Sequence, residues 1–544
     1  MAVGKKGGAA TFAAAVAEAL ALIRVGDHTA ARKILEPLRA GIPTIYENTL
    51  TPSQEDVLRL RVATLLAEIG DHYGDDELSA GVLLPLRRII DELWEVNVKS
   101  LTQFSGDDVA ARFFRQKLYY AWQLSVLEYR RTKIEESAQL LQMTLQLAKR
   151  LQPRPESLLA HLYFGSGKLA LRDLAYNKAT LMFRQSILSA SSALALARQY
   201  KGDAVAIDER AAQYSIAKAI ALGMGHCLRE KGRVEEAHTV VVAGQLLLGL
   251  GSDRELANRA AVLLASVERG AAGEQDRDYL EMALKHLDEC SAFKERPADA
   301  GYQWRYEHAL VQMQRKNLNK AEEEIRALIT DVENKNQRWY ADALGALSRI
   351  LRRRRQHGDA VAAARKAVEV SANNHVYDVE RRTRTMLIAA LYDHAAVDVD
   401  RRDQLLEEAQ TEIVKGLKLL REDDSRHRAS LLLQQARVLN ARGDGDVAKR
   451  AFAEYLAIRS SIDVGRIKEF EQTVRNELEG ERHVCPADTE QADFNLEANR
   501  ASLERYLLQK VVSLGGLAKN QYTALGISKA QYYKLLEKLD VAKP

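Results

Sequence analysis

The sequence holds only 9 prolines and 3 cysteines in 544 residues, and aromatic residues make up just 6% of it. Each shortage excludes something. Cys227, Cys290 and Cys485 are odd in number and far apart, so they outline neither a disulfide framework nor a zinc site, and they fit a reduced, cytoplasmic setting. The scarcity of proline leaves room for many uninterrupted helices, because an internal proline would break or kink each one. No apolar run reaches the about 18 residues that a membrane-spanning helix requires, so no membrane partner is expected. The opening "MAVGKKGGAATFAAAVAEALALI" has the lysines and apolar stretch of a signal peptide. Glu18 interrupts it, however, and helical periodicity continues into "RVGDHTAARKILEPLRA", so it reads as a helix rather than a leader. The formal charge of +4 is small for the length, so no field of the whole molecule points to nucleic acid or an anionic membrane.

Helix formers and charges are abundant. Hydrophobic residues reach 47% and charged ones 28%, the profile of a mostly helical chain. One small pattern keeps returning: a helical run, a short polar break often containing Gly, then Ala on the next run. Its clearest copies are "RVGDHTAA", "EKGRVEEA", "RQHGDAVAA" and "ARGDGDVA". They pair Gly26 with Ala31, Gly232 with Ala237, Gly358 with Ala363 and Gly443 with Ala448. Weaker copies place Ala179, Ala283, Ala321 and Ala409 in the equivalent position. The pattern describes a helical hairpin: Gly ends the first helix with positive φ, and Ala lets the second helix cross it closely. Nothing in the chain alternates as a strand would.

The stretch Ala221-x2-Met224-Gly225-x2-Leu228, ahead of Gly232 and Ala237, resembles the W-x2-L-G-x2-Y element of tetratricopeptide repeats. Ala179 with Phe183, and Ala448 with Phe452, resemble that family's A-x3-F element. Residues 1–479 therefore resemble a divergent tetratricopeptide-like array, with a period of about forty residues. The resemblance implies an all-α fold, a right-handed α-solenoid of about ten helical hairpins whose concave face binds a protein or peptide partner.

Several motifs fail on inspection. "YFGSGKLALRDLAYNKA" suggests a phosphate-cradling loop, but Leu162 stands where its first Gly belongs and Leu169 replaces the hydroxyl residue. "LGLGSDREL" lacks the third Gly of a dinucleotide fingerprint and reads as a helix terminus. Arg352 to Arg355 form a run of four, which a helix end would spread in four directions. His226 beside Cys227 and His483 near Cys485 lack the further ligands zinc needs. No cofactor, metal or catalytic residue is assigned, and the chain is expected not to be an enzyme.

The repeat pattern fades near Gly480. Residues 480–499 read as a linker carrying Pro486, and residues 481–499 have five acids against one Arg, a charge of −4. Residues 500–544 hold eight Lys or Arg against three acids, a charge of +5. From "LERYLLQKVV" at Leu503 through Gly515-Gly516 and Leu525-Gly526-Ile527-Ser528 to "KAQYYKLLEKLDV", this segment resembles a Fis-type helix-turn-helix domain. In that reading Gly526 makes the turn, Ser528 caps the second helix, and Lys529, Gln531 and Lys534 face double-stranded DNA. The family implies a homodimer through the helix that starts near Leu503. Leu517, Gln521, Tyr522, Leu535 and Glu537 depart from the family's pattern. Two functions stay open: a cytoplasmic bacterial regulator of transcription that binds DNA through this tail, and an interaction scaffold or adaptor that does not.

Overall fold

The computed structural model describes residues 8–479 apart from 25–26, 47–51, 74, 97–107, 132, 200–204, 249–253, 273–276, 295–298, 423 and 463–464. The expected linker 480–499 and the expected helix-turn-helix segment 500–544 lie outside the described residues. Among the described residues there are 23 α-helices and no strand, which bears out the all-α reading.

The helices run antiparallel in hairpins that stack in chain order. The first hairpins pair α1 (Gly8–Arg24) with α2 (His28–Leu35) and α3 (Gln54–Tyr73) with α4 (Asp76–Leu83). The short α5 (Arg88–Trp94) leads to α6 (Val109–Arg130), α7 (Ile134–Ala148), α8 (Glu156–Arg172) and α9 (Tyr176–Gln199). One apolar core, from Val16 to Leu169, joins this part, and α1 contributes Val16 and Ala19 to it. From Gly8 onward the signal-like stretch thus forms a packed helix.

Next, α10 (Val205–Lys218) passes through a π-helical turn, Ala219–Met224, into α11 (Gly225–Lys231), which pairs with α12 (Val234–Leu248). Regular hairpins follow: α13 (Arg254–Ala271) with α14 (Arg277–Glu289), α15 (Asp299–Gln314) with α16 (Leu318–Val332), and α17 (Gln337–Arg353) with α18 (His357–Asn373). Then come α19 (Tyr377–Ala395) with α20 (Arg402–Leu419), α21 (Ser425–Ala441) with α22 (Gly445–Ile458), and a final α23 (Gly465–Glu479).

Five of the hairpin turns share one chemistry. Leu174, Gly232, Lys316, Arg355 and Gly443 adopt positive φ, and the following N–H closes on a carbonyl five residues back, as Arg233 does to Leu228 at 3.0 Å and Gln356 to Leu351 at 3.0 Å. Five residues after each of these five stands a fully buried Ala: Ala179, Ala237, Ala321, Ala360 and Ala448. The Ala rule therefore holds, but the Gly rule holds only at Gly232 and Gly443 among these turns. At "RQHGDAVAA" the expected pair, Gly358 and Ala363, is three residues too late. Arg355 makes the turn, Gly358 lies inside α18 and Ala360 takes the crossing position. Ala283 and Ala409 are buried, but Ala409 sits eight residues after the cap Arg401 rather than four.

Gly167 has a packing role. A Cβ there would lie 2.5 Å from the Phe183 ring, and one on Gly223 would lie 2.6 Å from the same ring. Gly167 of the "FGSGK" stretch and Gly223 thus let two helix backbones close on one aromatic side chain.

The stack does not stay open. One apolar core contains Ala217 to Val267 from α10 to α13 together with Ala429 to Val474 from α21 to α23. Helix α21 packs on α11 and α23 packs on α13, so the second half of the array closes on itself.

Candidate functional site

Closure turns the concave face of the second half into a partly enclosed chamber of 410 Å³. The first helix of each hairpin from α11 to α21, and α23, contributes to its wall. Residues three or four apart share a helix face, so each first helix presents a short polar stripe, while α23 adds Ile467. His226, Arg229 and Glu230 come from α11; Ser266, Arg269 and Gly270 from α13; Gln303, Tyr306, Glu307 and Leu310 from α15. Arg338, Trp339, Asp342, Arg349 and Arg352 follow from α17, and Arg382, Thr385 and Met386 from α19. On α21 the stripe is Arg426, His427, Ser430 and Gln434. Seven arginines thus face three carboxylates, Glu230, Glu307 and Asp342.

A crossed ladder joins α17 to α19. Arg338 forks onto both oxygens of Asp378 at 3.3 and 2.5 Å, and Arg382 donates to both oxygens of Asp342 at 3.0 and 2.9 Å. Burial opposes ionisation of Asp378, but Arg338 and Arg382 outweigh it and lower its pKa. For Asp342 burial wins over the same two arginines, and its pKa is raised. Arg352 is held by Asp393 at 2.8 and 2.6 Å.

On the opposite wall Arg229 donates to Ser266 Oγ at 2.6 Å and to Glu230 at 2.5 Å, and Ser266 in turn donates to Glu307 at 2.8 Å. Arg269 Nε donates to the other oxygen of Glu307 at 2.8 Å. Burial works against the Glu307 charge, yet Arg269 and then Arg229 lower its pKa. Arg426 donates to the Arg229 carbonyl at 3.0 Å. Arg349 and Arg426 have no carboxylate within ion-pair distance among the described residues. Burial, then Arg269, pushes the Arg349 pKa down to about 10, and burial lowers that of Arg426 as well. His226 is kept neutral by burial and then Arg229, with its pKa near 3, and His427 by burial and then Arg381, near 4.

The sequence singled out two of these residues, for other reasons. Arg352 belongs to the run Arg352 to Arg355, which the structure distributes: Arg352 to the chamber, Arg353 to the Met313 carbonyl at 2.8 Å, Arg354 to Glu322, and Arg355 to the turn. His226 lines the chamber, and no group of residues able to hold a metal occurs among the described residues. Ser528, Lys529, Gln531 and Lys534 lie outside the described residues. A signal for the ladder was present, because Arg338 and Asp378, like Asp342 and Arg382, stand 40 residues apart, one repeat period.

The described part of the chain is a tetratricopeptide-like helical-repeat array: antiparallel hairpins, each stacked on its neighbours, with a small buried Ala at the crossing. No protein-family model matches the sequence, and no curated protein matches it. Among solved structures it is similar to the Rap protein complexed with competence and sporulation factor, at 11% identity over 85% of this chain and 99% of that one, TM-score 0.35. It is also similar to an IFIT1 monomeric mutant with Gppp-AAAA, at 11% identity over 93% and 95%, TM-score 0.39. A third is the Cut9–Hcn1 hetero-tetramer of APC/C, at 11% identity over 95% and 94%, TM-score 0.30. At these levels none of their functions transfers. No helix among the described residues is long and apolar enough to cross a membrane.

Proposed function

We propose that the protein is a binding protein rather than an enzyme: a cytoplasmic regulator whose array takes a peptide or protein segment into the chamber and whose tail binds DNA as a dimer. The observation that carries the first half is the ring of polar stripes around a partly enclosed 410 Å³ space. Seven arginines directed inward would cost stability without a role, since charges are easier to hydrate on the convex side. The volume suits a few residues of an inserted segment rather than a folded domain. The second half rests on the +5 charge of residues 500–544 and their helix-turn-helix spacing.

Gly270 supplies a clean test of the chamber. It faces the space, and a Cβ there meets nothing within 4 Å. Gly270→Trp should leave the fold intact, fill the chamber and abolish peptide binding by the full chain. Binding that persists in a folded Gly270→Trp protein places the partner elsewhere. For the tail, anisotropy titration against selected and random duplexes should show Gln531→Ala relaxing sequence preference, and Lys534→Ala weakening all duplexes while flattening the salt dependence. If no duplex is preferred, the scaffold reading takes its place.

A further inference from the structure

We propose that the part of the chamber between Arg349 and Arg426 is an anion site, and that the segment it admits is an acidic peptide whose side-chain carboxylates pair with these arginines. The inference rests on the chamber being the partner site. Five of the seven arginines already have a carboxylate: Arg229 has Glu230, Arg269 has Glu307, Arg338 has Asp378, Arg352 has Asp393 and Arg382 has Asp342. Arg349 and Arg426 do not, although both are half-buried and face the space. Arg269 is the charge that acts most on Arg349, while Arg426 feels Glu230 first and then Arg229 and Arg269. Around this corner Arg229, Arg269, Arg349 and Arg426 share only Glu230 and Glu307. Two positive charges are left over in a poorly hydrated place, and an incoming anion compensates them.

A guanidinium fork suits carboxylate and phosphate alike. The remainder of the wall favours a peptide. A polynucleotide needs free rings on which bases stack, yet the chamber's two large aromatic rings engage each other edge-on, Tyr306 to Trp339 at 5.8 Å. Trp339 Nε1 is further tied to Asp299 at 3.0 Å. A peptide backbone instead finds hydrogen-bonding partners in Gln303, Thr385 and Ser430, and in Gln434, whose buried Oε1 accepts no hydrogen bond among the described residues.

The test uses the full chain and fluorescein-labelled octapeptides of alternating Glu-Ala, Ser-Ala or Lys-Ala, with an octanucleotide of thymidine as the fourth probe. The Glu-Ala peptide should bind at least about tenfold more tightly than Ser-Ala, and the double variant Arg349→Gln, Arg426→Gln should erase that advantage. The reversal Arg349→Glu, Arg426→Glu should move the preference to Lys-Ala, a gain that misfolding cannot imitate. If Ser-Ala binds as tightly as Glu-Ala and neither double variant changes the order, the anion site is wrong while the peptide reading survives. If only the oligonucleotide binds, or nothing does, both are overturned.

Discussion

Arg381 on α19 donates to Glu230 on α11 at 3.0 Å, across 151 residues of chain. The same fully buried guanidinium also donates to Asp424, the residue that precedes α21, and to the Tyr176 hydroxyl on α9. One side chain therefore ties four helices at the seam where the array closes. Burial would oppose its charge, but Tyr176, Asp424 and Glu230 outweigh it and raise its pKa. The Asp424 pKa, which burial alone would raise, is held at about 2 by His427 and Arg381.

Removing that guanidinium should open the seam. Arg381→Ala leaves Glu230 and Asp424 as buried carboxylates without their shared partner, an expected loss of about 3–5 kcal/mol. Arg381→Lys should recover only part of it, because an ammonium cannot fork onto two acceptors in one plane. Urea denaturation measures the loss, and hydrogen exchange should rise first in α21 to α23. A loss below about 1 kcal/mol would mean that the apolar seam alone holds the closure.

Glycines should divide sharply by neighbour. Gly167→Ala and Gly223→Ala each drive a methyl into the Phe183 ring and should cost about 1–3 kcal/mol. Phe183→Leu in the same chain should reduce that penalty. Gly358→Ala meets nothing within 4 Å and sits in α18, so it should stabilise by roughly 0.5–1 kcal/mol. Thermal melts of the three single variants check the order.

Turn residues should behave in the reverse of the usual helix rule. Arg355 at φ 62° and Lys316 at φ 68° hold left-handed conformations that cost a side chain about 1–2 kcal/mol. Arg355→Gly and Lys316→Gly should each raise the denaturation midpoint, and Arg355→Val should lower it. Equal or lower stability in both glycine variants would count against this account of the turns.

Acid should weaken the chamber walls within a defined window. His226 and His427 titrate near 3 and 4 when folded but near about 6.5 when unfolded, so between those values the unfolded chain binds more protons. Their contribution is complete above the unfolded value and is lost as the pH falls through the window, by up to about 1.4 kcal/mol per unit for each. His286 acts oppositely. Burial disfavours its charge, but Glu268 raises its pKa, so its contribution is complete below the unfolded value and fades as pH rises through the folded one. Denaturation from pH 8 to 4.5 should show a shallower acid slope in His226→Gln than in the parent chain.

The amino-acid sequence by itself determined the all-helical class, the period of about forty residues and the crossing Ala at Ala179, Ala237, Ala321 and Ala448. These follow from local rules, in which a helix face recurs every three or four residues and a crossing backbone admits only a small side chain. It misplaced the turn at Gly358 because a Gly next to a break is the usual left-handed residue, whereas the neighbouring helices hold Arg355 in that conformation at a local cost. Only the tertiary structure decided that the array closes and that seven arginines on five helices meet in one space. Arg381 and Glu230 meet because small rotations between successive hairpins add up over 151 residues, and no local pattern encodes that sum. The exchange of charge between Arg338–Asp378 and Asp342–Arg382, one period apart, was written in the sequence. It gains meaning once stacking sets equivalent positions of adjacent repeats side by side.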